Sequence, residues 1–370
     1  MKRPFIKGLD LSEHLYGKAV KPLLAKTFPG LSYSAALIGP GSEVLGFDTP
    51  QSTDHDWGPR LQIFLSPRAC ESHRKTIDDV LCRQLPDTID GYPTRFTRHE
   101  DGTKAMGEGS GCPLTHGIKI LTVSAFFEDC LGFDPTGEIR PVDWLSVPEH
   151  HLLMVTAGRV FHDGLGQLEP LREKLRYYPR DVWLYLLAAQ WRRVAQEEAF
   201  MARCGQAGDD LGSRLLAARQ VRDLMRLCFL MERRYTPYMK WLGTAFARLS
   251  CAGRLLPVFT SALAAGSWEE RQRHLVAAWE SVAKMHNSLG ITKHLATKVS
   301  PYYNRPFLVI HGDRFAEAIR EAIDSEEVRA LPAHLGAVDQ FVDSTDALKH
   351  LEQLRGVWGG THGSRTTCGD

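Results

Sequence analysis

The character of this chain changes after Pro148, and that change limits its fold more than any other feature. Before it, short apolar stretches alternate with turn residues. Beyond it come long segments, residues 179–204 (PRDVWLYLLAAQWRRVAQEEAFMARC), 209–234 (DDLGSRLLAARQVRDLMRLCFLMERR) and 267–290 (SWEERQRHLVAAWESVAKMHNSLG). Their apolar residues recur at helical spacing, with Leu211, Leu215, Ala218, Met225 and Phe229 lining the second. The third opens on a capping box, Ser267 to Glu270, and stops at Gly290. These segments predict a helical bundle.

The first part reads differently. Residues 11–28 predict an amphipathic helix with Ser12 as N-cap and Leu15, Val20, Leu23 and Leu24 on one face. Strands are predicted at 32–38, 60–66, 91–99 and 116–123, and helices at 70–84 and 124–132, the latter closed by Gly132. The Gly-rich polar stretch 100–113 reads as a loop. Helix-like segments recur at 312–324 and 346–357, and GGTHGSRTTCGD reads as a disordered tail. The expected class is α+β: a mixed or antiparallel sheet domain over 1–147, a helical bundle over 148–295, a helical extension over 296–358 and the tail 359–370.

At 370 residues there is ample chain for two cores. The 45 basic and 44 acidic residues nearly cancel, which argues against a nucleic-acid binder and for a small-molecule partner. Eight scattered cysteines with no C-x-x-C pair point to buried thiols in a reducing compartment rather than to disulfides or zinc ligation. No secretory apolar core opens the sequence, and the longest apolar run, 182–189, is too short to span a bilayer, so a cytoplasmic protein is expected.

The chemistry gathers in residues 39–60, GPGSEVLGFDTPQSTDHDWGPR. No lysine precedes Ser42, so this is not a Walker loop, and the glycine spacing is wrong for a dinucleotide fingerprint. What remains is a Gly-Ser turn after one strand and an Asp-x-Asp pair, Asp54 and Asp56, entering the next. On a strand, residues two apart share a face, so both carboxylates would meet one Mg²⁺, and His55 between them would point away. Gly41 and Ser42 would let phosphates approach the backbone closely. A bland turn capped by two aspartates is the competing reading.

With these motifs the chain resembles the polymerase-beta-like nucleotidyltransferase superfamily, in the kanamycin-nucleotidyltransferase architecture of a sheet domain followed by helices. GSEVLGFDTPQSTDHDWGPR, LGFDP, TAGRVFHDGLG, RRYTPYMKWLG, HGDRFAEAI and GAVDQFVDSTDAL resemble, more narrowly, an uncharacterised bacterial nucleotidyltransferase-like family. The resemblance implies Mg²⁺-dependent transfer of a nucleoside monophosphate, AMP from ATP by default, to a hydroxyl of a small acceptor. It implies Asp54 and Asp56 as metal ligands, Gly41 and Ser42 at the phosphates, and Lys240 as a clamping cation. Tyr238, or its neighbours Tyr235 and Trp241, would stack on the nucleotide or else belong to a core.

One position departs from that pattern. The superfamily's third carboxylate is expected on the strand HGIKILT, where this chain has Lys119. A protonated lysine repels Mg²⁺, by about 4 kcal/mol per unit-charge pair at about 4 Å and an effective dielectric of about 20. Either Glu100, Asp101, Glu108 or Glu128 supplies the acid, or Lys119 takes a catalytic role in place of one metal, or the site is a degenerate, non-catalytic nucleotide binder. His116, His150, His151, His162 and His311 show no H-x-x-x-H spacing, and no G-x-S-x-G elbow occurs.

Overall fold

The computed structural model describes residues 4–98, 103–107, 115–333 and 335–358. They divide into two compact units, Met1–Glu138 with His151–Arg176, and Ile139–His150 with Tyr177–Asp370. In place of one boundary near 147 the chain passes between units three times, and the stretch after 296 belongs to the second unit. The tail 359–370 lies outside the described residues. The class is α+β, as the sequence predicts.

The first unit opens with a continuous helical run, α1 (Gly8–Leu15), a π turn (Tyr16–Val20) and α2 (Lys21–Thr27). It starts earlier than expected, and Ser12 is buried inside α1 rather than capping it. Next come β1 (Tyr33–Leu37), β2 (Arg60–Leu65) and α3 (Pro67–Gln84). Helix α3 is capped by Ser66, whose hydroxyl accepts from the Ala69 amide at 3.3 Å. Strands β3 (Arg95–Arg98), β4 (Lys104–Met106) and β5 (Thr115–Thr122) follow, then α4 (Val123–Leu131), which Gly132 closes at φ 73°.

Helix α5 (Glu149–Thr156) leads to β6 (Arg159–Asp163), which completes a sheet of order β4-β3-β5-β2-β1-β6 among the described residues. β2 runs antiparallel to β1 but parallel to β5, so the sheet is mixed. β1 is buried along its whole length, and β5 alternates, with His116, Ile118 and Ile120 buried and Lys119 exposed. Leu11, Leu15 and Val20 of the helical run, Ile77 and Leu81 of α3, and Ala35, Leu61, Ile63, Ile118 and Ile120 of the sheet form one core.

In the second unit, the predicted bundle helices are α6 (Arg180–Glu197), α7 (Asp210–Met231) and α10 (Trp268–Ser288), with α8 (Met239–Phe246) and α9 (Ala252–Ala264) between the last two. Ser267 caps α10, its hydroxyl accepting from the Glu270 amide at 3.2 Å. The helix expected at 312–324 is α11 (Asp313–Glu321), whose Phe315 stacks on Trp191 of α6 with ring centroids 4.3 Å apart and planes at 12°. Among the described residues no helix is long and apolar enough to cross a membrane.

Candidate functional site

The β1–β2 connection begins where β1 loses its neighbours. Gln62 replaces them: its side chain accepts from Ile38 N at 3.2 Å and donates to Ile38 O at 2.8 Å. The chain then turns through Gly39 (φ 89°) and Gly41 (φ 150°). A Cβ on Gly41 would stand 2.2 Å from Arg60 Nη2 and 2.7 Å from Glu43 Oε2, so the turn has room only for glycine there.

What fills the turn is an ion pair that the linear pattern does not announce. Arg60 Nε donates to Glu43 Oε1 at 2.6 Å, and Arg60 Nη2 donates to the Pro40 carbonyl at 2.6 Å. The Glu43 side chain is 1% exposed and that of Arg60 18%. Arg60 therefore places a fixed cation inside the glycine turn, with Ser42 half-buried beside it in sequence. A second buried carboxylate, Asp48, accepts from Gly8 N at 2.8 Å and Trp57 Nε1 at 3.2 Å, and pairs with Lys7 at 3.3 Å. It ties the connection to the start of α1.

The Asp-x-Asp pair departs from its expected geometry. β2 starts at Arg60, so Asp54, His55 and Asp56 sit in the turn before it, not on a strand. Asp56 takes a left-handed backbone, φ 49°. Its N–H donates to Lys104 O at 2.6 Å, and its Oδ1 accepts from Lys104 N at 3.1 Å, fixing the turn against β4. This removes the strand alternation, and the His55 ring does not point away. Its Nδ1 lies 3.4 Å from Asp56 Oδ2 and its Nε2 3.9 Å from Asp54 Oδ2. The imidazole thus occupies the space between both carboxylates, whose side chains stay 68% and 54% exposed.

Lys119 lies on β5 in register with Gln62 of β2. It is exposed and shares a sheet face with Gln62, opposite to Ile118 and Ile120. Burial pushes the Cys130 thiol on α4 up to about 12; Asp129 adds to this, and the Lys119 charge works against it. Of the alternative acids, Glu128 is exposed on α4, while Glu100, Asp101 and Glu108 lie outside the described residues.

Tyr238 and Lys240 belong to the second unit. Lys240 is exposed, its Nζ 5.2 Å from the Trp241 ring centroid, and Tyr238 meets His150 edge-on at 4.7 Å. Tyr235 is core: buried, with Tyr177 and Tyr178 rings 5.1 and 5.2 Å away. Beneath this stretch Glu149 accepts from Thr236 N at 2.8 Å and from Arg226 Nη2 at 3.1 Å, while its own N–H donates to Asp339 at 2.7 Å. Burial pushes the Glu149 carboxyl up and Arg226 opposes it. The network is a scaffold that holds residues 235–238 in place.

Residues 144–242 match the family model of a domain of unknown function, DUF4037. The DUF4037 segment carries β6, Glu149, Arg226, Tyr238 and Lys240, and leaves the β1–β2 connection and Lys119 outside it. No curated protein matches the chain.

Proposed function

We propose that this chain is a Mg²⁺-dependent nucleotidyltransferase that moves a nucleoside monophosphate, AMP from ATP by default, onto a hydroxyl of a small-molecule acceptor and releases pyrophosphate. The observation that carries the reading is a single connection into β2, holding a glycine turn, a half-buried cation in that turn, and two exposed carboxylates that flank the His55 ring. The mixed sheet, with β2 between antiparallel β1 and parallel β5, suits the superfamily resemblance.

Asp54 and Asp56 offer hard oxygens of the kind magnesium takes, one to each nitrogen side of the His55 ring. They would hold the ion once His55 swings aside, and Mg²⁺ there would screen the triphosphate and polarise the attacked phosphorus. Gly41 and Ser42 would take phosphate oxygens on backbone N–H groups and the hydroxyl, next to the Arg60 guanidinium. Tyr238 and Lys240 enter only through the resemblance, as nucleotide contacts. Catalysis would rest on positioning and charge neutralisation.

Calorimetry with ATP, with and without Mg²⁺, on wild type and Asp56→Ala tests the site. Metal-dependent binding that the substitution removes supports it; binding indifferent to both metal and mutation sinks it. Lys119 favours a second reading, a nucleotide-binding protein without turnover, since an exposed lysine stands where the resemblance expects an acid. Pyrophosphate release that appears only in Lys119→Glu would decide for that reading.

A further inference from the structure

On the opposite face of the sheet from Lys119 lies a cluster of three side chains with no part in the proposed transfer. Asp78 and Cys82 are one turn apart on α3 and project from the same side of the helix. Beneath them, on β5, is His116. A nitrogen of its ring, a carboxylate oxygen of Asp78 and the Cys82 sulfur all lie within 4.8 Å of one another. The His116 side chain is 4% exposed, and its Nε2 faces Asp78 Oδ1 at 3.2 Å. A buried imidazole nitrogen, a carboxylate and a thiol gathered within one small space are the donor types of a metal site.

We propose that Asp78, Cys82 and His116 form a zinc site, with water in the fourth position. Nitrogen, oxygen and sulfur donors together suit zinc better than magnesium or calcium. Tetrahedral bonds of about 2.0–2.3 Å place ligand atoms about 3.3–3.8 Å apart. The partly exposed Asp78 and Cys82 side chains close that gap by rotating about their own bonds.

The protons balance simply. The Cys82 thiol gives its proton to solvent as the zinc–sulfur bond forms. His116 Nδ1 now accepts from Ile118 N at 3.2 Å, so the ring proton is on Nε2. It moves to Nδ1 when Nε2 binds, and the Ile118 contact is given up. One proton is released per zinc. The ion would fasten α3 to β5, and the site stands independently of the nucleotidyltransferase reading.

The test uses the full chain stripped with chelator and titrated with Co²⁺. One equivalent should give tetrahedral d–d bands together with a thiolate-to-cobalt charge-transfer band, both displaced by Zn²⁺. Cys82→Ser should abolish the charge-transfer band, and Asp78→Asn should weaken binding by at least about 10-fold. Asp78 is exposed, Cys82 is half-buried and neither belongs to the hydrophobic core, so these variants keep that core intact. Asp56→Ala should leave the band unchanged, which separates this site from the β1–β2 connection. Absence of the band at one equivalent, or its persistence in Cys82→Ser, overturns the proposal.

Discussion

Arg60 closes the glycine turn by donating from Nε to Glu43 Oε1 at 2.6 Å, and the Glu43 carboxylate has almost no contact with water. Removing the acid would leave a half-buried guanidinium facing backbone carbonyls. Glu43→Ala should therefore cost about 3 kcal/mol. Gly41→Ala should cost about 1–3 kcal/mol, because its Cβ meets Arg60 Nη2. Urea unfolding measures both, and ATP binding should fall with each. A neutral Gly41→Ala would mean that the turn relaxes freely.

Two buried groups should hide each other's pH dependence. Burial raises the Glu198 carboxyl from 4.5 to about 7, against the Ile310 N–H that it accepts at 3.1 Å. Its contribution is fully present below pH 4.5 and is lost as pH rises through about 7. Burial lowers the His286 ring from 6.5 to about 4, so its contribution is present above pH 6.5 and is lost as pH falls through about 4. Each is worth about 3 kcal/mol, with opposite slopes. Denaturant midpoints of Glu198→Gln should rise with pH across this window, those of His286→Gln should fall, and the wild type should lie between. Parallel curves for all three would refute the assignment.

Breaking the Glu149–Arg226 pair from either side leaves a buried charge alone. Glu149→Ala and Arg226→Ala should each cost about 3–5 kcal/mol, and the double substitution clearly less than their sum. Chemical denaturation of the four proteins closes the cycle. Simple additivity would mean that the two side chains act independently.

Turnover should separate the roles of Asp56 and Lys240. Asp56→Ala should reduce pyrophosphate release roughly 100-fold or more. Lys240→Ala should chiefly weaken ATP binding, as loss of a single phosphate cation does. Pyrophosphate measured by coupled assay against ATP concentration distinguishes the two effects. ATP binding should keep its Mg²⁺ dependence in Lys240→Ala and lose it in Asp56→Ala; loss of that dependence in both variants would remove the distinction.

What was legible in the sequence followed from local rules. β1 and β2 came out within a residue because continuous apolar runs end at Gly-Pro and at Ser66-Pro67. Gly132 and Ser267 signalled helix ends because their conformations are set by neighbours in the chain. β4 was hidden in a polar Gly-rich stretch, since only pairing with β3 makes it a strand. The Asp54–Asp56 turn is not legible in the sequence for the same reason: Lys104, nearly fifty residues on, decides its backbone. Glu43 with Arg60, and His116 with Cys82, meet through folding alone.

β6 has a consequence for the order of synthesis. The strand that covers the open side of β1 is made from residues 159–163, after the chain has already entered and left the second unit. A ribosome that has released only the first 147 residues exposes β1, buried and apolar, as a naked sheet edge. A fragment cut there should stick to copies of itself, whereas one ending past Arg176 carries its own cover.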